Sequence, residues 1–364
     1  LPSHKKHHYV PKFHLKYFGF NNQKNICLYN LLSKKHISRA QLKNQAYEDY
    51  LYGKKENMEI ALSNIERLTS VIFNKIISRN GNLRLSKKLY QLLIIYISIQ
   101  MNRTIYAKDD FEKKYLEMIR TFSEIHPKYK NFVFNSNDIH FNGVSQYLIA
   151  DSMKYVHLLF DLDYIILVNK TNREFIISDN PVVKYNMYME FNNYPPGGTG
   201  YISKGLQLFL PISPYYYILL YDKNVYKPKY IFKKFIQITD INVVKNINGL
   251  QYLNSSENLY FSDKVSEGEI LRIMIRFKNK KELFFNPVAR YYPVNNTKGN
   301  ESILHFKDKV IRINLSLNDL IVKKYLPKNK NDFNINIPRT KRLEKYLNML
   351  EDKLENQNNT ITLE

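Results

Sequence analysis

The chain has 364 residues, 44% of them apolar, which is enough to bury a core in one large domain or two modest ones and excludes a disordered chain. Lys and Arg number 55 against 33 Asp and Glu, a formal net charge of +22 that favours polyanionic partners such as nucleic acid or an acidic membrane surface. The single cysteine, Cys27, excludes an internal disulfide and a thiolate metal cluster. Abundant Lys, Asn, Ile and Tyr with no Trp are the preferences of AT-rich coding. Such coding supplies Glu as readily as Lys, so the shortage of acid is the informative half of the charge. The opening LPSHKKHHYV has no apolar run of the secretory kind, and with the lone thiol this points to the cytoplasm.

In chain order, Lys55–Arg79 reads as an amphipathic helix, with Met58, Leu62, Ile65, Thr69, Ile72 and Ile76 at helical spacing and Asn80-Gly81 as its stop. Ser86 caps a second helix reaching about Arg103. It contains the longest apolar run, Leu89–Met101, which is too short to cross a bilayer and reads as a buried helix. Further helices are expected over Tyr106–Ile125 and Val144–Leu162. The pattern then turns to strands. Asp163–Val168 and Glu174–Ser178, separated by the turn-like NKTNR, read as a hairpin ending at Asp179-Asn180-Pro181. Asn192–Gly200 is a loop, and Leu206–Leu210 and Tyr215–Tyr221 are strands around Pro211–Pro214. Asp240–Leu253 is a capped helix and Leu259–Ser262 a short strand. Pro327–Asn336 reads as a linker. Pro338–Asn356 is an amphipathic helix with Leu343, Leu347, Leu350 and Leu354 in one stripe, suited to docking on the body or, alternatively, to a homodimer.

These elements describe an α+β fold, with a helical N-terminal half packed on an antiparallel or mixed sheet from the C-terminal half. The expected divisions are a helical region at 1–162, a strand-rich region at 163–326 and a tail at 327–364.

Five constellations carry chemistry. His7-His8 precede Pro11. In an extended segment they face opposite ways, so one is expected to act as acid, base or metal ligand and the other to pack; a purely structural N-terminal clasp is the competing reading. Asp179 stands at a strand end, where a carboxylate can bind metal or orient a histidine, or where it simply caps backbone N–H groups. Gln100 and Arg103 share a helix face, Arg103 fit to grip a phosphate or to complement the helix dipole. Glu59 and Glu66 share another face, either solvated or completing a mixed His/Glu/Asp site. Lastly, Tyr216, Tyr221 and Tyr226 interleave with Lys223, Lys229, Lys233 and Lys234, an arrangement that suits stacking on single-stranded nucleic acid or an ordinary strand and loop.

The motif HHYVPKFHLKYF, followed by NMEIALSNIE, ISIQMNRT, FIISDNPVV and LFLPISP, resembles the bacterial "domain of unknown function 4238" family, whose members open on a His-His-x-x-Pro motif. The resemblance covers roughly the first two-thirds of the chain. It implies that these segments belong to one fold and implies no activity. No Walker loop, G-x-S-x-G elbow or HExxH motif occurs, which turns the reading away from P-loop hydrolysis and those two hydrolase chemistries.

The expected function is that of a metal-dependent nuclease or related phosphodiesterase, compatible with a toxin or defence effector. His8 and Asp179 would hold a divalent metal (Mg or Mn, or Zn), His7, Glu66 and Gln100 would support them, and Arg103 would hold a phosphate. A non-enzymatic RNA- or DNA-binding protein and a protein-interaction module are the alternatives.

Overall fold

The computed structural model describes residues 5–55, 57–125, 139, 141–193, 198–230, 232–281, 289–293, 302–306, 309–323 and 338–350. The chain opens with β1 (Lys6–His8), α1 (Lys12–Lys16), β2 (Asn25–Asn30), β3 (Lys35–Gln41) and β4 (Tyr47–Asp49). Four helices follow, α2 (Asn57–Ser78), α3 (Lys87–Asn102), α4 (Ile105–Ile125) and α5 (Val144–Tyr155). Next come β5 (Asp163–Asn169), β6 (Ile177–Ser178), β7 (Val183–Tyr185), α6 (Met187–Phe191), β8 (Gln207–Ser213), β9 (Tyr216–Tyr221), β10 (Tyr226–Pro228) and β11 (Phe235–Ile238). The last described elements are α7 (Ile241–Asn254), β12 (Asn258–Phe261), α8 (Glu267–Phe277), β13 (Ala289–Pro293), β14 (Ser302–Phe306), β15 (Leu320–Val322) and a helical stretch at 341–350.

The centre is a five-stranded mixed sheet in the order β11-β5-β9-β8-β7, in which only β11 and β5 run parallel. Side chains alternate across a strand, and β5 shows why its sequence is apolar throughout. Tyr164, Ile166 and Val168 join α2 and α3 in one core, through Ile72, Ile76, Leu93 and Ile97. Ile165 and Leu167 face the other way, into a core shared with α7, α8 and a second sheet. That second sheet, β3-β2-β12-β6, is antiparallel and joins strands far apart along the chain.

The helices lie where their periodicity places them. Asn80 and Gly81 both take left-handed backbone, with φ of 50° and 77°, and close α2 as the dipeptide predicts. Ser86 accepts the Leu89 N–H and caps α3. Asp240 likewise caps α7. One feature was not foreseen and one expectation is corrected. Between α1 and α2, β2 and β3 form a hairpin, turned by the Asn30 side chain accepting the Ser33 N–H at 2.8 Å. And β5 and β6 do not pair. The NKTNR turn exists, with the Asn169 side chain accepting the Thr171 N–H at 2.9 Å, but the chain then crosses between sheets, burying Phe175 and Ile176 completely on the way.

Residues beyond Ser262 belong to the same body: Ile270, Ile273, Phe277, Ile311, Ile313, Leu315, Leu317 and Leu320 are buried in the core of the central sheet. The linker at Pro327–Asn336 lies outside the described residues. The final helix docks on the body: Leu343 is buried, Tyr346 meets the His157 ring edge-on at 5.2 Å, and the buried Arg339 pairs with Asp161 at 2.7 Å. Leu354 lies outside the described residues. Among the described residues, no helix is long and apolar enough to cross a membrane.

Candidate functional site

The N-terminal motif forms a clasp. β1 pairs with β4, and both His7 and His8 are buried, where one of the two was expected to face a site. The His7 Nδ1 accepts the backbone N–H of Tyr52 at 2.9 Å, and its ring stacks on the Tyr52 ring at 5.2 Å. The His8 Nδ1 lies 3.0 Å from the Gln45 carbonyl, which fixes it as the protonated nitrogen of a neutral ring. Burial, and next the charge of Lys12, push His8 down to about 4, so it is neutral at neutral pH.

Arg103 sits beneath this strand with its donors committed. Its Nη2 donates to the His8 carbonyl at 2.6 Å, Nε to the Tyr52 hydroxyl at 3.1 Å and Nη1 to Glu66 at 2.7 Å. One turn earlier, Gln100 donates to the Tyr9 carbonyl at 2.8 Å. A fully buried guanidinium in this setting holds backbone, so Arg103 is not placed to grip a phosphate, nor Gln100 and Glu66 to ring a metal. Burial pushes Glu66 up, and Arg103 draws it back down.

Asp179 is equally committed. One oxygen accepts the N–H of Ser256 at 2.8 Å and the other those of Glu257 at 2.7 Å and Asn258 at 2.8 Å. The backbone-capping reading therefore describes its geometry, although the capped turn lies far along the chain rather than beside Pro181. Burial raises the carboxyl while these three donors lower it. Among the described residues no group of three or more His, Cys, Asp and Glu gathers as a metal site.

The motif at 174–182 is held by a device that sequence reasoning missed. Asn248, Gln251 and Asn254 recur every third residue on α7. Asn248 accepts the Ile176 N–H and donates to the Glu174 carbonyl; Gln251 accepts the Ser178 N–H and donates to the Pro181 carbonyl. Asn254 donates to the carbonyls of Asn180 and Val182. Three amides recurring every third residue along the buried half of the helix were the available signal.

The clasp and the 174–182 segment together present their neighbouring residues to a cleft of about 580 Å³, within the range of sites for small organic ligands. Met101 and Asn102 come from α3, and Asn180, Val182 and Lys184 from the segment after Asp179. Tyr106, Asp110, Phe111 and Lys114 come from α4, Asp151 and Tyr155 from α5, and Tyr201, Asn254 and Lys309 complete the wall. Tyr201 is set by Asn102, which donates to its hydroxyl at 2.9 Å. Asp110 pairs with Lys114 at 3.0 Å and Asp151 with Lys154 at 3.5 Å. Lys184 is exposed and has no carboxylate within 4.0 Å among the described residues.

The tyrosine–lysine stretch does not form the expected stacking track. Tyr221 and Tyr226 are buried, Tyr226 donating to the Gly205 carbonyl at 2.7 Å and Tyr221 to Asp163 at 3.3 Å. Tyr216 donates to Asn80 at 3.2 Å, and Lys234 pairs with Asp163 at 2.6 Å. Tyr216 and Tyr221 lie on β9 of the central sheet, whose two faces are both covered, and Tyr226 lies on β10, which pairs with β15. Lys223, Lys229 and Lys233 remain on the surface, the last two beside the exposed Tyr230.

The family model described as "Protein of unknown function (DUF4238)" matches residues 6–265, and the chain belongs to that family. The match runs from the clasp through the α7 amides to the end of the second sheet. No curated protein and no solved structure matches the chain.

Proposed function

We propose that the chain, as a member of this family, acts on nucleic acid, taking one nucleotide unit of a strand into the cleft and hydrolysing a phosphodiester there. The observation that supports this is the cleft's lining: lysines from three separate segments, four aromatic rings and two carboxylates around one hollow. Lysines suit phosphate oxygens as point charges, and tyrosine faces suit an unstacked base. Carboxylates add nothing to phosphate affinity, since like charges repel. In a phosphodiesterase they hold a divalent cation such as Mg or Mn, whose remaining ligands are water and phosphate oxygen, or they deprotonate the attacking water. We assign that part to Asp110 and Asp151, while His7, His8, Glu66, Gln100, Arg103 and Asp179 position the backbone segments from which the cleft residues extend. Cleavage of this kind would suit a toxin or defence effector in the cytoplasm.

A second reading, binding without cleavage, is favoured by the ion pairs that both carboxylates already make. Exposed pairs of this kind are worth about 0–1 kcal/mol, so a cation could displace the lysines.

The test is incubation of the chain with labelled single- and double-stranded RNA and DNA, with Mg or Mn and with EDTA, beside Asp151→Asn and Lys184→Glu. Cleavage removed by EDTA and by Asp151→Asn supports the enzyme. Binding weakened by Lys184→Glu with no cleavage establishes the second reading. Neither binding nor cleavage would remove nucleic acid from the cleft altogether.

A further inference from the structure

A second hollow, of about 450 Å³, opens between Arg173-Glu174, α7 and α8. Its charged lining is Arg173, Lys245, Arg272 and Arg276 against Glu174 and Glu269. Both carboxylates are already answered. Glu269 pairs with Arg173 at 2.6 Å. Glu174 is buried, accepts from the hydroxyls of Tyr215 and Ser262, and has Lys264 at 3.8 Å. That leaves Lys245 on α7 and Arg272 and Arg276 on α8 with no carboxylate within 4.0 Å among the described residues. Arg272 and Arg276 are four residues apart on one helix face, where like charges repel unless an anion lies between them.

The floor of this hollow is rigid and already satisfied. The Asn248 amide spends its oxygen on the Ile176 N–H at 3.1 Å and its nitrogen on the Glu174 carbonyl at 2.9 Å. None of the lining side chains is aromatic, so a nucleobase would find no ring to stack on. Guanidinium groups offer forked donors matched to phosphate oxygens.

We propose that this hollow is a second ligand site that takes a phosphate or polyphosphate group on Lys245, Arg272 and Arg276. It is separate from the cleft. Asn248 beneath it and Asn254 at the cleft lie six residues apart on α7, about 9 Å along the helix axis. The two sites thus bracket the segment that the α7 amides hold. The phosphate has two available sources, a free polyphosphate ligand or the backbone of a nucleic acid strand passing over the surface.

Isothermal titration of the full chain with sodium tripolyphosphate at fixed ionic strength tests the site. The variants are Lys245→Glu/Arg272→Glu for the hollow and Lys184→Glu for the cleft, each checked by thermal melting without ligand; Arg272→Lys tests the forked geometry. A saturable binding phase is expected that the double variant weakens about tenfold or more, as loss of charge-assisted hydrogen bonds implies, and that persists in Lys184→Glu, which removes binding at the cleft alone. Arg272→Lys should bind with intermediate affinity. No saturable binding at millimolar ligand, or equal binding in the double variant and the parent chain, overturns the proposal. A ten-residue oligothymidylate then separates the sources: if it displaces tripolyphosphate the group comes from a strand, and if it does not the ligand is free polyphosphate. Loss of nucleic-acid binding in Lys184→Glu with tripolyphosphate binding intact would show the cleft and the hollow to be independent.

Discussion

The Arg103 guanidinium donates to the backbone carbonyl of His8 at 2.6 Å, while Gln100, one turn away, holds the next carbonyl, that of Tyr9. Two motifs that look catalytic in sequence are thereby the two halves of one fastening. Arg103→Ala is expected to destabilise the fold by about 3–5 kcal/mol, because it strands Glu66 and the Tyr52 hydroxyl in a buried place. Arg103→Met with Glu66→Leu should recover part of that loss. Urea denaturation checks both, and a stable Arg103→Ala protein would refute the clasp.

Asp179→Asn keeps the shape of the side chain but replaces one acceptor oxygen with a donor that faces backbone N–H groups. A loss of about 2–4 kcal/mol is expected, from broken charge-assisted bonds and an unsatisfied donor. The readout is the denaturation midpoint with and without Mg. A variant of undiminished stability that has lost a metal-dependent activity would return Asp179 to the catalytic role.

Stability should fall in mild acid. Burial pushes both His8 and the fully buried His14 down from 6.5 to about 4 in the folded chain. Between those values the unfolded chain binds protons that the folded chain refuses, so stability rises with pH there and is fully present above about 6.5. His14 is set between the Tyr96 hydroxyl and the Pro211 carbonyl. Melting curves from pH 7 to 4 should show a steep decline, and His14→Gln a lower melting point at pH 7 with a shallower decline. A flat profile for the parent chain would contradict this.

Lys184→Glu is expected to weaken nucleic-acid binding through the cleft at every sequence alike and to reduce the salt dependence by about one phosphate contact, with no change in melting temperature. Fluorescence anisotropy across a salt series measures it. An unchanged salt slope would move the binding surface elsewhere, the lysines around Tyr230 being the next to vary.

Gly249→Ala should destabilise the fold although alanine is the better helix former. A β-carbon there would overlap the Phe277 ring, so α7 and α8 would have to part. Overpacking of this kind costs about 1–3 kcal/mol. Gly249→Ala with Phe277→Leu should relieve the clash, and denaturation of the two variants compares them.

The helices α2 to α5 were legible because their apolar residues recur at the helical period and Asn80-Gly81 and Ser86 mark their ends. The hairpin of β2 and β3 was not, since Asn25–Asn30 alternates weakly and its pairing with β12 lies far along the chain. Asp179 shows the limit at the level of a site. A carboxylate at a strand end has the same local sequence whether it binds metal or three distant N–H groups, and only the fold brings Ser256 to it. The cleft was invisible for a related reason. Its lining comes from residues beside or within the motifs, Asn102, Asn180 and Lys184, together with Asp110 and Lys114 on α4 and Asp151 on α5, which no motif marks.

The second sheet ties synthesis to completion. β2 has β3 on one side, but its other edge waits for β12, with Cys27 paired to Phe261 and Asn30 to Asn258. A ribosome adding about 5–20 residues per second leaves that edge open for on the order of ten seconds to a minute. During that time Cys27, Leu28 and Tyr29, all buried in the finished protein, have no covering strand. Nascent chains stalled before Asn258 should therefore be chaperone clients, whereas those released after Phe261 should not.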